Sequence, residues 1–166
     1  MIVLGIDPGT ATTGYGLVSE AADGSLVSVG YGVITTPPGL AMPERLLKLN
    51  QSLKEIVLLH HPVSCAVEKL FFSKNVTTAI AVGQARGVIL MTLAEAGLEV
   101  AEYTPMEVKQ AIAGFGGADK QQVQQMVRAL LDLPEVPRPD DAADALAIAI
   151  CHLHSSRYQL RAVEAA

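Results

Sequence analysis

Acidic residues occur at three points in the sequence where a carboxylate needs a partner. Asp7 follows an aliphatic stretch, residues 2–6, and Glu68 ends a second apolar run. Asp141 and Asp144 begin an alanine-rich segment and are three residues apart, so they share one face of a helix. Burying an unpaired carboxylate is costly. Acids in these positions must therefore hold a metal ion, pair with a cation, or lie at an end of a sheet that faces a site.

Each acid also has a structural explanation that needs no ligand. Asp7 precedes a Pro-Gly pair, and capping of that turn is the better explanation if the residue is taken alone. Glu68 is followed by Lys69 and is compatible with a surface ion pair. Aspartates in a first helical turn cap the helix, each contributing about 1 kcal/mol or less. Capping does not explain why the helix face that carries Asp141 and Asp144 also carries the apolar Ile148. An apolar residue on that face indicates that the face points at the body of the protein.

The elements that must position these acids follow an α/β pattern. Periodicity and turn residues predict strands at residues 2–7, 13–18 and 26–34, a helix up to residue 62, a strand at 63–68, a helix at 77–96, a strand at 98–103, and helices beginning near residues 105, 119 and 140. The first three strands form an antiparallel meander, and the crossover helix places the fourth parallel to the first. If those two strands are neighbours, Asp7 and Glu68 emerge at the carboxyl end of the sheet, where α/β sheets usually bind ligands.

Composition limits the function classes. The 166 residues are 50% hydrophobic, which suits one compact domain; we expect it to span residues 1–160, with a frayed tail at 161–166. A net charge of -5 means that any nucleic-acid affinity comes from a local basic face or from bound cations. Cys65 and Cys151 fall in apolar stretches and indicate a reducing setting. No secretory leader or membrane segment is recognisable, so a soluble cytoplasmic protein is expected.

Basic and aromatic residues provide further candidates for chemistry. Phe71 is one of two adjacent phenylalanines that cannot easily share a core; with Lys74 nearby it could stack on or wedge between bases. An equally good alternative is a hydrophobic anchor for the following helix. The glycine-rich residues 114–117 lead into a helix that carries Lys120. A glycine-rich loop before such a helix is compatible with a phosphate-binding site, but it is also a common composition for an ordinary loop. Lys109 lies on the preceding short helix.

The long helix at 77–96 has two internal glycines. Gly83 and Gly87 are four residues apart on one face, and Arg86 lies on another. Glycine costs up to about 1 kcal/mol relative to alanine inside a helix. Two such residues therefore suggest close backbone packing against the sheet or against a partner helix.

The element order and five short motifs together closely resemble the RuvC family of Holliday junction resolvases, over nearly the whole chain. The motifs are G-I-D-P-G-T at residues 5–10, V-E-K at 67–69, G-Q-A-R-G at 83–87, V-K-Q at 108–110 and D-A-A-D-A-L-A-I-A at 141–149. The resemblance implies a ribonuclease H-like α/β fold with a mixed five-stranded sheet, three strands antiparallel and two parallel. It also implies a homodimer that binds four-way DNA junctions and nicks two symmetric strands with magnesium or manganese, leaving 5'-phosphate and 3'-hydroxyl ends.

The same resemblance assigns roles to individual residues. Asp7, Glu68, Asp141 and Asp144 would be the catalytic acids and metal ligands of a site holding two Mg²⁺ or Mn²⁺ ions. Phe71 would be inserted at the junction, and Lys109 and Lys120 would lie near the scissile phosphate. The full set of expected DNA contacts is Phe71, Lys74, Arg86, Lys109 and Lys120. Branch-migration proteins of the RuvA and RuvB type would be partners.

The chemistry of the residues agrees with this assignment. Converging carboxylates raise one another's pKa or recruit cations. Hard oxygen ligands select magnesium or manganese over zinc. Two such ions roughly 4 Å apart can hold an attacking water and a leaving oxygen in line across a phosphodiester. Asp7, on the central strand, is the expected bridging ligand, and the cations would reverse the sign of the field that an acidic protein presents to DNA.

Three rival interpretations share some of these features. The G-I-D-x-G-T stretch followed by a hairpin also resembles the first phosphate loop of actin-like ATPases and sugar kinases, but those proteins need a duplicated domain and the chain has no such repeat. The second interpretation is a junction-binding module without catalysis. The acids disfavour it, because a protein that only binds DNA would have higher affinity without negative charges on its DNA-binding face. The third is a resolvase-like nuclease that acts on RNA.

Overall fold

The computed structural model describes residues 1–70 and 76–164, and the side chains as far as residue 156. Two expected DNA contacts, Phe71 and Lys74, lie outside the described residues. In the described part of the chain the strands are β1 (Ile2–Asp7), β2 (Thr12–Glu20), β3 (Leu26–Thr35), β4 (Ser64–Glu68) and β5 (Val100–Tyr103). The helices there are α1 (Met42–His60), α2 (Val76–Glu95), α3 (Pro105–Ala113), α4 (Lys120–Leu130) and α5 (Asp140–Glu164).

The strands form one mixed sheet in the order β3-β2-β1-β4-β5. The pairs β1–β2 and β2–β3 are antiparallel, whereas β4 runs parallel to β1 and β5 runs parallel to β4. The predicted mixed five-stranded sheet is therefore confirmed. Because β1 and β4 are parallel neighbours, with Ile6 opposite Val67, the next residues Asp7 and Glu68 leave the sheet at the same end.

Helices cover both faces of the sheet, which explains why β1 is apolar on both sides. Leu4 and Ile6 pack on one face in a cluster that includes Leu53 of α1 and Ile89 of α2. Residues of α5 and of the two short helices cover the opposite face, with Val3 in that second cluster. Each fully buried aliphatic side chain stabilises the fold by about 1.5–3 kcal/mol relative to exposure. Both clusters include residues of β1, so this strand is buried on both faces beneath the site.

Caps set where the two short helices begin. The Thr104 hydroxyl accepts a hydrogen bond from the Glu107 backbone N–H, and Pro105 occupies the first helical turn of α3. Asp119 caps α4 in the same way by accepting from the Gln122 backbone N–H. Lys120 is therefore the first residue of α4.

The outward face of α2 is apolar and uncovered. Ile80 and Met91 are 59% and 50% exposed, and Gly87 has no atom within 4 Å of the position of a Cβ. Gly87 therefore faces outward, which excludes the first of the two expected packing partners, the sheet, for this glycine; packing against a partner helix stays a prediction. Among the described residues α2 is also long and apolar enough to cross a membrane, but one such helix is weak evidence, since helices of soluble proteins pass the same test.

Two smaller expectations concern the cysteines and the chain end. Cys65 and Cys151 are buried and free, as their apolar context predicts. Burial raises the thiol pKa of Cys65 to about 12 and that of Cys151 to about 11, so neither is a ready nucleophile. The last helix continues to Glu164, past residue 160 where the domain was expected to end. The division of the chain at residue 160 stays a prediction.

Candidate active site

Asp7 and Glu68 lie side by side at the carboxyl end of the central strands. Burial, and then the negative charges of Glu68, Asp144 and Asp141, raise the pKa of Asp7 to about 8. Burial and then the charge of Asp144 raise the pKa of Glu68 to about 6. Acids from the first strand, the fourth strand and the last helix are therefore close enough to affect one another's ionisation.

Glycines on β1 and β2 allow the last helix to approach the sheet this closely. Gly14 lies opposite Asp7 in the β1–β2 ladder, and a Cβ on Gly14 would stand 1.9 Å from the backbone oxygen of Asp141. A Cβ on Gly5 would stand 2.2 Å from the backbone oxygen of Ala145. Backbone packing of this kind fixes the first turns of α5 beside Asp7. The sequence signal was glycine inside strands, which often marks a close approach of another backbone, and the sequence analysis did not use it.

Asp144 has a basic partner. Burial raises the pKa of the Asp144 carboxyl, while the hydrogen bond from Lys120 and its charge oppose that rise. The Lys120 Nζ donates to Asp144 Oδ2 at 3.0 Å. Burial alone would lower the pKa of Lys120, but its contacts with Asp144 and Asp140 raise it, so the amine is an ammonium at neutral pH.

Asp140, which the sequence analysis did not single out, shares this ammonium. Its Oδ2 lies 3.4 Å from Lys120 Nζ, and its Oδ1 accepts from Arg138 Nη1 at 2.5 Å. The Gln124 amide, and then Lys120 and Arg138, lower the pKa of Asp140. Asp140 therefore stays ionised beside the site. The signal in the sequence was an acid directly before the D-A-A-D motif, which capping of the helix seemed to explain.

A cavity of about 250 Å³ lies between α3, α4 and α5 and is lined by Glu68, Lys109, Lys120 and Asp144. A second cavity of about 210 Å³ adjoins it on the other side of Glu68 and is lined by Lys69 and Arg86, among others. Glu68 therefore contributes to both. An extended chain of phosphates could cross the two cavities and pass the acids.

Arg86 lies at this end of the sheet but has partners within the chain. Its Nε donates to the backbone oxygen of Glu68 at 3.2 Å, and its Nη2 pairs with Glu102 Oε2 at 2.5 Å. These contacts tie α2 to the ends of β4 and β5. Whether Arg86 also contacts DNA stays a prediction, as do the contacts of Phe71 and Lys74.

The donor set fits hard divalent cations. Carboxylate oxygens at the end of a rigid sheet are the ligands that magnesium and manganese prefer, and the mutual repulsion that raises the pKa of Asp7 and Glu68 is relieved by a bound cation. In the described part of the chain, no group of three or more acids, histidines or cysteines already has the spacing of metal ligands. The Lys120 ammonium supplies the counter-charge at Asp144 instead.

Comparisons with known proteins identify the family. Residues 3–152 match the family model "Crossover junction endodeoxyribonuclease RuvC". The chain belongs to the RuvC family. Over 153 residues it is 58% identical to the RuvC endonuclease of Roseiflexus sp., covering 92% of this chain and 90% of that protein. It is 59% identical over 155 residues to the one from Desulfitobacterium hafniense, covering 93% of each.

Solved RuvC structures have the same fold. A Thermus thermophilus RuvC structure superposes with a TM-score of 0.89 at 40% identity, covering 96% of this chain and 97% of that one. The T. thermophilus RuvC in complex with Holliday junction substrate gives a TM-score of 0.87 at 37% identity, covering 95% and 96%. The ribonuclease H-like fold and the assignment as a Holliday junction resolvase, an endonuclease, are confirmed. RuvC membership also implies divalent-metal dependence and binding of Holliday junction DNA, and it decides against the actin-like alternative.

Proposed function

We propose that the chain resolves four-way DNA junctions by hydrolysing one phosphodiester in each of two symmetric strands, with Asp7, Glu68, Asp141 and Asp144 as the ligands of divalent ions. The observation that carries this assignment is the electrostatic coupling of Asp7 to the other three acids at one end of the sheet. A buried carboxylate that faces the negative charges of three other acids gains most from a bound cation.

Two Mg²⁺ or Mn²⁺ ions, when bound, would supply an activated water and stabilise the leaving oxygen of the phosphodiester. Asp7 would be the bridging ligand, because it extends from the central strand of the sheet. Glu68, Asp141 and Asp144 would flank it. Attack of water on phosphorus with cleavage of the bond to the 3' oxygen would leave a 5'-phosphate and a 3'-hydroxyl.

Lys109 and Lys120 would hold the scissile phosphate. Both line the cavity beside Glu68 and Asp144, so an ammonium can reach a non-bridging oxygen of a phosphate placed there. Their positive charge would stabilise the extra negative charge of the pentacoordinate phosphorus. Lys120 would first leave Asp144, to which its ammonium donates a hydrogen bond.

Junction recognition would involve Phe71, Lys74 and Arg86. Phe71 would enter the junction between bases, and the two basic residues would contact phosphates on either side of the acid site. The cavity lined by Lys69 and Arg86 supports a path for the strand next to Glu68. Phosphate contacts of this kind position the DNA without reading its sequence.

The protein would act as a homodimer, because two symmetric nicks need two active sites. An exposed apolar stripe runs along α2 on the side opposite the core, and its members are Val76, Ile80, Gly87 and Met91. At 100° per residue these positions fall on one side of the helix, while the buried Ala85 and Ile89 fall on the other. The absence of a side chain at Gly87 would let a second copy of α2 approach closely.

The wider setting follows from action on chromosomal junctions. Branch-migration proteins of the RuvA and RuvB type would deliver the junction, and the site of action would be the cytoplasm of a bacterial cell. The nuclease domain would span residues 1–160.

The proposal is tested by incubating the protein with a synthetic mobile four-way junction and either Mg²⁺ or Mn²⁺. A linear duplex of the same sequence and the Asp7→Asn variant are the controls. We expect paired nicks at symmetric positions on the junction, no cutting of the duplex, and no cutting by the variant. Binding of the junction without cleavage in either metal would favour the non-catalytic module, and equal cutting of junction and duplex would overturn structure selectivity.

A further inference from the structure

We propose that Asp140 is a positioning residue that receives the Lys120 ammonium when a divalent cation takes Asp144. This inference rests on the proposed function of Asp144 and Lys120. Lys120 of α4 pairs with two acids of α5, and the proposed metal ligands account for only one of them, Asp144.

Lys120 is shared unequally between two carboxylates. Its Nζ lies 3.0 Å from Asp144 Oδ2 and 3.4 Å from Asp140 Oδ2. The Asp144 side chain is 31% exposed and the Asp140 side chain 44% exposed, so Asp140 is the outer of the two acids. The ammonium can therefore move from one partner to the other over a fraction of an ångström.

The Asp140 carboxylate is held in place for this role. Arg138 Nη1 donates to Oδ1, which leaves Oδ2 directed at Lys120. Gln124, one turn after Lys120 on α4, is only 6% exposed and approaches Asp140 from the same side. Its Nε2 completes no hydrogen bond of good geometry among the described residues, yet the amide is close enough to Asp140 to be the first cause that lowers its pKa, so this donor can close on the carboxylate when the ammonium moves.

A cation that binds Asp144 must displace the ammonium, because the two positive charges repel. With Asp140 in place, Lys120 keeps one charged partner throughout and stays within the cavity where a phosphate would lie. Without Asp140, release of Asp144 leaves Lys120 with no ion-pair partner within 4 Å among the described residues. To bind Asp144, the cation must then break the whole Lys120–Asp144 ion pair with no second carboxylate to receive the ammonium. The released Lys120 side chain is no longer held in the cavity.

A double-mutant cycle on metal affinity tests this inference without cleavage. Mn²⁺ binding to the full chain is measured by electron paramagnetic resonance in the wild type, Asp140→Asn, Lys120→Gln and the double variant. Asparagine keeps the shape of Asp140 and removes its charge. Asp132→Asn, which removes one charge from a residue with no contact to Lys120, is the matched control.

We expect Asp140→Asn to weaken Mn²⁺ binding about two- to fivefold in the wild-type background, the range for one half-exposed ion pair. In the Lys120→Gln background its effect should be no larger than that of Asp132→Asn. An equal loss in both backgrounds would mean that Asp140 acts only as a nearby negative charge. No loss in either background would mean that it has no role. Both of these results overturn the inference.

The single-turnover rate of junction cleavage distinguishes a positioning role of Asp140 from a simple effect of its negative charge. Removing an acid near DNA should leave junction affinity unchanged or improved, whereas loss of lysine positioning should lower the single-turnover cleavage rate at saturating protein by about two- to fivefold. Asp140→Glu should restore the rate. A fall in junction affinity that accounts for the whole loss, or a failure of the glutamate to restore it, would contradict the inference. A wild-type protein that cuts no junction at all would instead be a failure of the proposed function.

Discussion

The backbone oxygen of Asp141 fills the space where a side chain on Gly14 would stand, because a Cβ there would lie 1.9 Å from it. Gly14 is also the residue opposite Asp7 in the β1–β2 ladder. One glycine therefore sets how closely the acids of the last helix approach the acid of the first strand. The geometry of the site depends on a position that carries no functional group.

Substitution of Gly14 by alanine should displace the start of α5. The clash is with backbone and cannot be relieved by a rotamer change, so we expect a loss of about 1–3 kcal/mol in the free energy of unfolding and a larger loss of cleavage. Denaturant unfolding and junction cleavage measure the two effects. Gly39→Ala is the control, since nothing lies within 4 Å of a Cβ there. Full activity in Gly14→Ala would show that the spacing of Asp7 and Asp141 is not critical.

Asp7→Asn should remove cleavage by at least about a hundredfold, as expected for loss of a metal ligand. The variant should still bind the junction, because it removes a negative charge near DNA and leaves the basic residues in place. Cleavage assays and gel-shift titration in the same buffer measure both. A parallel loss of junction binding of similar size would mean that Asp7 has a structural role.

The stability of the metal-free protein should fall as pH rises. The pKa of Asp7 is about 8 in the folded chain and near 3.8 in the unfolded chain, so between these values the folded state holds a proton that the unfolded state has lost. Unfolding therefore becomes easier from about pH 4 to pH 8, and Glu68, with a pKa of about 6, adds to the effect over the lower part of this range.

Thermal melts in chelator across this range measure that slope. Asp7→Asn should flatten it, and added Mg²⁺ should raise the melting temperature more at pH 8 than at pH 5, because cations bind the deprotonated acids. A melting temperature that rises steadily from pH 4 to pH 8 in the metal-free wild type would contradict the burial and coupling of these acids.

Ile80→Asp should disrupt the proposed dimer. The new charge would lie in the apolar stripe on α2, where it could not be solvated in a helix-to-helix contact. Light scattering should change from about twice the chain mass to the monomer mass, and paired nicks should become single nicks. Leu58→Asp, at a leucine of α1 that is more exposed than Ile80, should stay dimeric. A dimeric Ile80→Asp protein would place the interface elsewhere.

Much of the site could be predicted from sequence because its acids follow buried elements. Asp7 and Glu68 each end a strand with apolar neighbours, and parallel pairing of those strands brings them to one edge. Asp141 and Asp144 share a helix face that continues into the core. These relationships depend on local periodicity and on the parallel pairing that follows from a crossover helix, and sequence patterns predict both well.

The contacts that depend on tertiary packing could not be predicted from sequence patterns. Nothing local indicates that Lys120 reaches two acids twenty or more residues away, or that Arg86 is engaged by Glu102. The outward direction of Gly87 was also missed, because helix glycines suggest close packing without saying on which side. Each of these depends on how two elements meet, and that is decided by the whole core.

The central claim is that Asp7, Glu68, Asp141 and Asp144 together hold divalent cations. Anomalous diffraction from crystals grown with Mn²⁺ tests it most directly. The account predicts one or two anomalous peaks within about 2.5 Å of oxygens from these carboxylates, with Lys120 moved away from Asp144. Strong peaks elsewhere on the protein, and none among these four side chains at millimolar Mn²⁺, would contradict it.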